Sequence, residues 1–284
     1  MPTLAQARRH YARQRTVTAL ALRAVRAAFR KTNNPVAIAQ VVAAYQLTSA
    51  TTSSRAIAAM SDSRPLVRPA AFVGHTAAGF PLVDPLTSLL ADLEVETARM
   101  VERLGRFVAS EVADAGRAAS QVEIVARPEW TNYVRMLNLP SCGRCAILAG
   151  RVYRDLDSFL RHPGCDCVMV PVTSWQDAHD SGLVVSAEAA FERGEIRGLS
   201  KADTAAIADG ADIAKVVNAA QGMATADIFG RRGVKVTTSG TTKRAAWRKA
   251  NPNRPIRLRP EAIYATAKDR EDAIRLLRLY GYIL

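Results

Sequence analysis

All four cysteines of the chain fall in one window, SCGRCAILAGRVYRDLDSFLRHPGCDC, from Ser141 to Cys167. Cys142 and Cys145 form a C-x2-C pair. After nineteen intervening residues come Cys165 and Cys167 as C-x-C, with His162 three residues ahead of them. A C-x2-C pair lets two thiolates grip one ion from a tight turn. Gly143 gives that turn its freedom and Arg144 favours the thiolate form. His162-Pro163-Gly164-Cys165-Asp166-Cys167 is a second turn with up to three ligands. Tetrahedral zinc takes four nitrogen or sulfur ligands at about 2.0 to 2.3 Å. The four cysteines are therefore read as ligands of a structural zinc ion, with His162 as a fifth candidate or as an orienting group. Two disulfides are the alternative, although a reducing cytoplasm disfavours them. Reduced or redox-active thiols are a third reading, but no βαβ pattern surrounds the C-x2-C pair. The chain shows no H-E-x-x-H, no H-x-E…C-x2-C, no G-x-S-x-G, no Ser/Lys protease pairing and no P-loop. Catalysis is not expected from it.

The elements that must carry this window read as mainly helical. Residues 1–127 are expected to be a helical region. Leu4, Ala7, Tyr11, Thr18, Leu22, Val25 and Phe29 trace one stripe of a first amphipathic helix. Asn34-Pro35 offers an N-cap and a first-turn proline for a second helix running toward Met60. Residues 61–83 read as an extended connector, with three prolines and two glycines. One long helix is expected from about 84 to 127, with Pro128 as its stop. A helix of that length needs a partner, either the first two helices or a second copy of the chain. Residues 128–172 form the cysteine-rich, zinc-knot-like module. Trp130, Trp175 and Tyr153 are read as a small apolar core around it. Residues 173–284 read as a mixed α+β region. It should hold short helices near Ser186–Arg193, Ser200–Asp209 and Ala211–Ala220, and a hairpin in GVKVTTSGTT. A last helix is expected from Pro260 to Gly281. His10, His75 and His179 stand alone and read as surface or core polar groups.

The 284 residues carry a formal charge of +13, unevenly placed. From Met1 to Ser61 there is no acid and nine Lys or Arg, among them Arg8, Arg9 and Arg13. From Gly230 to Pro260 there is again no acid and ten basic residues: Arg231, Arg232, Lys235, Lys243, Arg244, Arg248, Lys249, Arg254, Arg257 and Arg259. All of these except Arg259, with Trp247 to stack on bases, are candidate contacts to nucleic acid phosphates. An acidic protein surface would meet the same charges. No apolar run approaches the roughly 18 to 20 residues of a membrane span. The basic N-terminus lacks the apolar core of a secretory signal, so synthesis in a cytoplasm is expected.

The spelling Cys142, Cys145, Ile147, Gly150 and Tyr153, then His162, Pro163, Cys165 and Cys167 followed by Val168 to Pro171, resembles the Mu F-like minor head proteins of tailed bacteriophages. Downstream, GADIAKVVNAAQGM, the SGTTKRA run and RPEAIYATAKDREDAIRLLRLYGYI are similar to the version found in phages of actinobacteria. The resemblance covers about residues 84–284 and is most specific over 140–171. It implies a virion component made in the host cytoplasm and placed inside the capsid. Portal and capsid proteins and packaged double-stranded DNA would be its partners. The alternative is a zinc-dependent, non-specific nucleic-acid-binding protein not tied to the virion.

Overall fold

The computed structural model describes residues 1–284 apart from 92–96, 158–164, 166, 229, 243–244, 254–255 and 284. The fold is mainly α with small β-sheets, as expected from sequence. It divides into two compact units. One comprises residues 1–138 and 149–185, the other residues 139–148 and 186–284.

The first unit begins with α1 (Leu4–Lys31), opened by a capping box in which Thr3 and Gln6 satisfy each other's backbone N–H groups. Its buried face holds Ala7, Tyr11, Val17, Ala21 and Val25, together with His10 and Gln14. Leu4, Thr18 and Phe29 are only half-buried. Helix α2 (Pro35–Met60) starts where Asn34 accepts the N–H of Val36 at 2.8 Å. A polar seam joins the two helices. Gln14 Nε2 donates to Ser53 Oγ at 2.8 Å and to the Ser49 carbonyl at 3.1 Å, and Ser49 Oγ donates to Gln14 Oε1 at 2.7 Å.

The expected helix over 84–127 is described in two parts, α3 (Val83–Leu90) and α4 (Thr97–Val125), with 92–96 outside the described residues. Leu82, Leu86, Leu90, Leu104, Val108 and Val112 join Val17, Ala21, Ile38 and Val42 in one core. The connector before α3 is tied down by one carboxylate. Glu123 accepts N–H groups of Leu66 at 2.8 Å and Val67 at 3.1 Å, Ser54 Oγ at 2.7 Å and Arg127 Nη1 at 2.5 Å. Burial alone would raise the pKa of this carboxyl. The hydrogen bonds from Leu66, Ser54 and Arg127 outweigh that and lower its pKa below the usual value.

The chain then forms β1 (Asn132–Met136), enters the other unit as β2 (Ser141–Cys142) and α5 (Gly143–Ala146), and returns as β3 (Val152–Arg154), β4 (Val168–Val172) and α6 (Trp175–Asp180). The sheet is antiparallel in the order β3-β1-β4, with Tyr133 opposite Tyr153 and Arg135 opposite Met169. Tyr153 stacks on the fully buried Tyr133 at 5.3 Å, and Trp130 is buried, as the small apolar core required. Trp175 departs from it. It is 54% exposed and stacks on His179, because it opens a short surface helix.

The second unit continues with α7 (Ala187–Glu192), β5 (Ile196–Arg197), α8 (Lys201–Ala208), α9 (Ile213–Asn218), β6 (Met223–Ile228), β7 (Arg231–Thr237), α10 (Ala246–Ala250), β8 (Arg257–Leu258), α11 (Pro260–Thr266) and α12 (Arg270–Leu279). The three expected short helices are present, each opened by a Ser or Asp cap. Two expectations need correction. GVKVTTSGTT is not a hairpin by itself: Gly233–Thr237 belongs to the second strand of a hairpin whose first strand is β6. The last helix breaks after Thr266, because Asp269 accepts the N–H of Asp272 at 2.8 Å and starts α12 afresh.

Candidate metal centre

The C-x2-C pair is a single helical turn. Cys142 ends β2, which pairs in parallel with β5, and caps α5 by accepting the Cys145 N–H on its Sγ at 3.4 Å. Glycine at 143 lets this turn pack closely, since a Cβ there would stand 3.0 Å from a Val217 methyl. Cys142 is half-buried and Cys145 is buried.

The C-x-C turn is held by two arginines from different elements. Arg117 of α4 donates Nε to the Cys167 carbonyl at 3.0 Å, Nη2 to the Cys165 carbonyl, and Nη1 to Asp114 at 2.6 Å. Arg135 of β1 is fully buried and donates Nη2 to Cys165 Sγ at 3.3 Å. The backbone of Arg135 is anchored as well, because its carbonyl accepts the N–H of Gly150 at 2.9 Å. Gly150 adopts φ +73°, and a Cβ there would press to 2.8 Å from Val184. Neither arginine was picked out from the sequence. Arg135 sits in a strand spelled NYVRM, where nothing local distinguishes it from a solvent-facing residue.

None of the four cysteines is in a disulfide. Within the first unit the Sγ atoms of Cys165 and Cys167 lie within 4.8 Å of each other, and both residues are buried. His162 lies outside the described residues. Soft sulfur ligands in a dry setting suit a thiophilic ion such as zinc better than a hard, oxygen-seeking one.

The cavity beside the C-x-C turn has a volume of about 260 Å³ and is lined in part by His10, Gln14, Arg117, Cys165, Cys167 and Met169. His10 is 2% exposed, and its Nδ1 has no hydrogen-bond partner among the described residues. Burial, helped by the Arg13 charge, lowers its pKa to about 4, so it is a neutral imidazole near pH 7.

The candidate contact residues scatter. Arg8, Arg9 and Arg13 are exposed along α1. Arg232, Lys235 and Lys249 are exposed in the second unit, and Arg248 is half-buried. Lys243, Arg244, Arg254 and the side chain of Arg231 lie outside the described residues. Arg257 is no surface contact. It is 4% exposed, lies 4.3 Å over the Tyr282 ring and 5.6 Å over the Trp247 ring, and donates to the carbonyls of Tyr280 and Ser239. Trp247 is committed to the same core, with its Nε1 donating to the Leu279 carbonyl.

The VG15 protein family matches residues 1–194, a span that takes in the N-terminal helices, the three-stranded sheet and all four cysteines. No curated protein and no solved structure matches the chain. With more than half of its length inside the match, the chain belongs to the VG15 protein family.

Proposed function

We propose that this chain is a structural component of a phage virion: a minor capsid protein of a tailed phage, seated inside the head near the portal. Membership of the VG15 family carries this reading and supports a phage virion-related protein. The Mu F-like spelling around the cysteines narrows it to a minor head protein. The thiol group holds a structural zinc ion that supplies folding free energy and no turnover. Cys142, Cys145, Cys165 and Cys167 supply its ligands, as their C-x2-C and C-x-C spacing suggests. The exposed Arg8, Arg9 and Arg13, with Arg232, Lys235 and Lys249, meet packaged DNA or acidic faces of portal and capsid subunits. Among the described residues no helix is long and apolar enough to cross a membrane.

Cryo-electron microscopy of intact particles tests the placement. Density for this chain beside the portal ring, on the inner side of the head, is the expected result. Particles that lack the chain or carry it on the tail overturn it. The exposed basic residues also favour a nucleic-acid-binding protein not tied to the virion. Absence from particles, together with steeply salt-dependent duplex binding by the purified protein, selects that reading. Elemental analysis of purified protein should return one zinc per chain; protein that takes up no zinc refutes the centre.

A further inference from the structure

We infer that Arg135 is the charge-compensating and sulfur-orienting residue of the thiol centre, acting on the metal through Cys165. This rests on the zinc reading above. A guanidinium keeps its proton at any pH a protein survives, so Arg135 brings a permanent positive charge to a position with 0% exposure. Such a charge is costly to bury unless opposite charge and hydrogen-bond acceptors meet it. Its Nη2 donates to Cys165 Sγ at 3.3 Å. Zinc bound by three thiolates carries a net charge of about −1, and by four about −2. A buried anion of that kind needs a cation beside it for the same reason that the arginine needs an anion.

The two arginines at the turn have different tasks. Arg117 spends its N–H groups on the Cys165 and Cys167 carbonyls, and Asp114 balances its charge. It fixes the backbone of the turn. Arg135 addresses the sulfur itself, from a strand whose own backbone is pinned to Arg151 and Gly150. A donor aimed at a ligating atom sets that atom's direction and tunes the electron density it offers, and loss of such a donor typically weakens metal binding about 10- to 100-fold.

The test compares full-length wild type with R135Q and R135K. Zinc affinity is read by competition with a chromophoric chelator, and the cobalt(II)-substituted protein reports sulfur-to-metal charge transfer. R135Q is expected to bind zinc about 10- to 100-fold more weakly and to shift the charge-transfer band. R135K, which keeps charge but loses the fork geometry, should fall between. A merely structural arginine would lower the thermal stability of metal-free and metal-loaded protein alike and leave the cobalt spectrum in place. R135Q that binds zinc within about twofold of wild type, with an unchanged cobalt spectrum, overturns the inference while leaving the zinc reading intact. Wild type that takes up neither zinc nor cobalt sinks the zinc reading, and this inference with it. If R135Q does not fold, R135K decides alone: unchanged affinity and spectrum overturn the inference, and weakened affinity with a shifted band supports it.

Discussion

Arg135 and Arg257 are both buried, one in each unit, and their surroundings differ in kind. Arg135 points at a cysteine sulfur in a turn that a metal ion would complete. Arg257 lies over two aromatic rings and takes two backbone carbonyls, all supplied by its own unit. The buried cation meets a cysteine sulfur in the first case and ring quadrupoles and peptide dipoles in the second. On the zinc reading proposed above, the first arginine serves a centre that depends on an occupant; the second serves a core built from its own unit. Counting basic residues along the chain separates neither from a DNA-facing arginine.

The contrast is most exposed to substitution at the thiols. C165S should abolish zinc binding and cooperative unfolding of the first unit while the Arg257 cluster stays protected. Hydrogen exchange resolved by peptide, alongside elemental analysis, reads both effects. Retained cooperativity without metal would break the contrast. R257A should cost about 4 kcal/mol, from lost ring contacts and two stranded carbonyls. Faster exchange should be confined to residues 257–258 and 280–282, and a loss under about 1 kcal/mol would break the contrast from the other side.

Acid should weaken the first unit through a buried histidine. The His10 pKa lies near 4 in the folded chain against 6.5 when exposed, so between those values the unfolded chain binds the extra proton. Stability therefore falls as pH drops from about 6.5 to 4, by about 3 kcal/mol from this group. Glu123 adds to the loss at the lower end. Its depressed pKa stabilises the fold above the unfolded value, and that contribution fades as the carboxylate takes up its proton. H10Q should flatten the upper part of the profile in denaturant titrations at stepped pH, and an unaltered profile would remove His10 from the account. The smallest effect on stability belongs to the exposed hairpin. R232A/K235A should change unfolding free energy by less than about 0.5 kcal/mol. It should lower the salt slope of DNA binding by about 2, read by anisotropy at several salt concentrations. An unchanged slope would release these two residues from any phosphate contact.

Much of the first unit was legible, and for local reasons. Asn34-Pro35 announces α2 because cap and first-turn proline are adjacent in the chain, and the clustering of the cysteines announces a shared task. What escaped depends on distant partners. Cys165 lies thirty residues from Arg135, and the Cys165 and Cys167 carbonyls lie 48 and 50 residues from Arg117, so no window of sequence holds both halves. Gln14 escaped because a polar letter in an amphipathic stripe reads as its edge, whereas here it fills the buried centre. Strand β6 escaped because the alternation in MATADI is carried mainly by alanine, a weak strand former, and the strand is largely exposed. The break at Asp269 was readable in principle: Asp269-x-x-Asp272 is a capping spacing, masked by apolar periodicity on both sides.

The position of Tyr280 and Tyr282 beneath Arg257 bears on how the protein is made. Strands β7 and β8 meet at Arg257, whose guanidinium lacks its nearer ring until the ribosome has translated past residue 282. Residues 139–148, which belong to the same unit, emerge far earlier. The second unit must therefore wait for synthesis through residue 282 before its core closes, whereas most of the first can settle while translation continues.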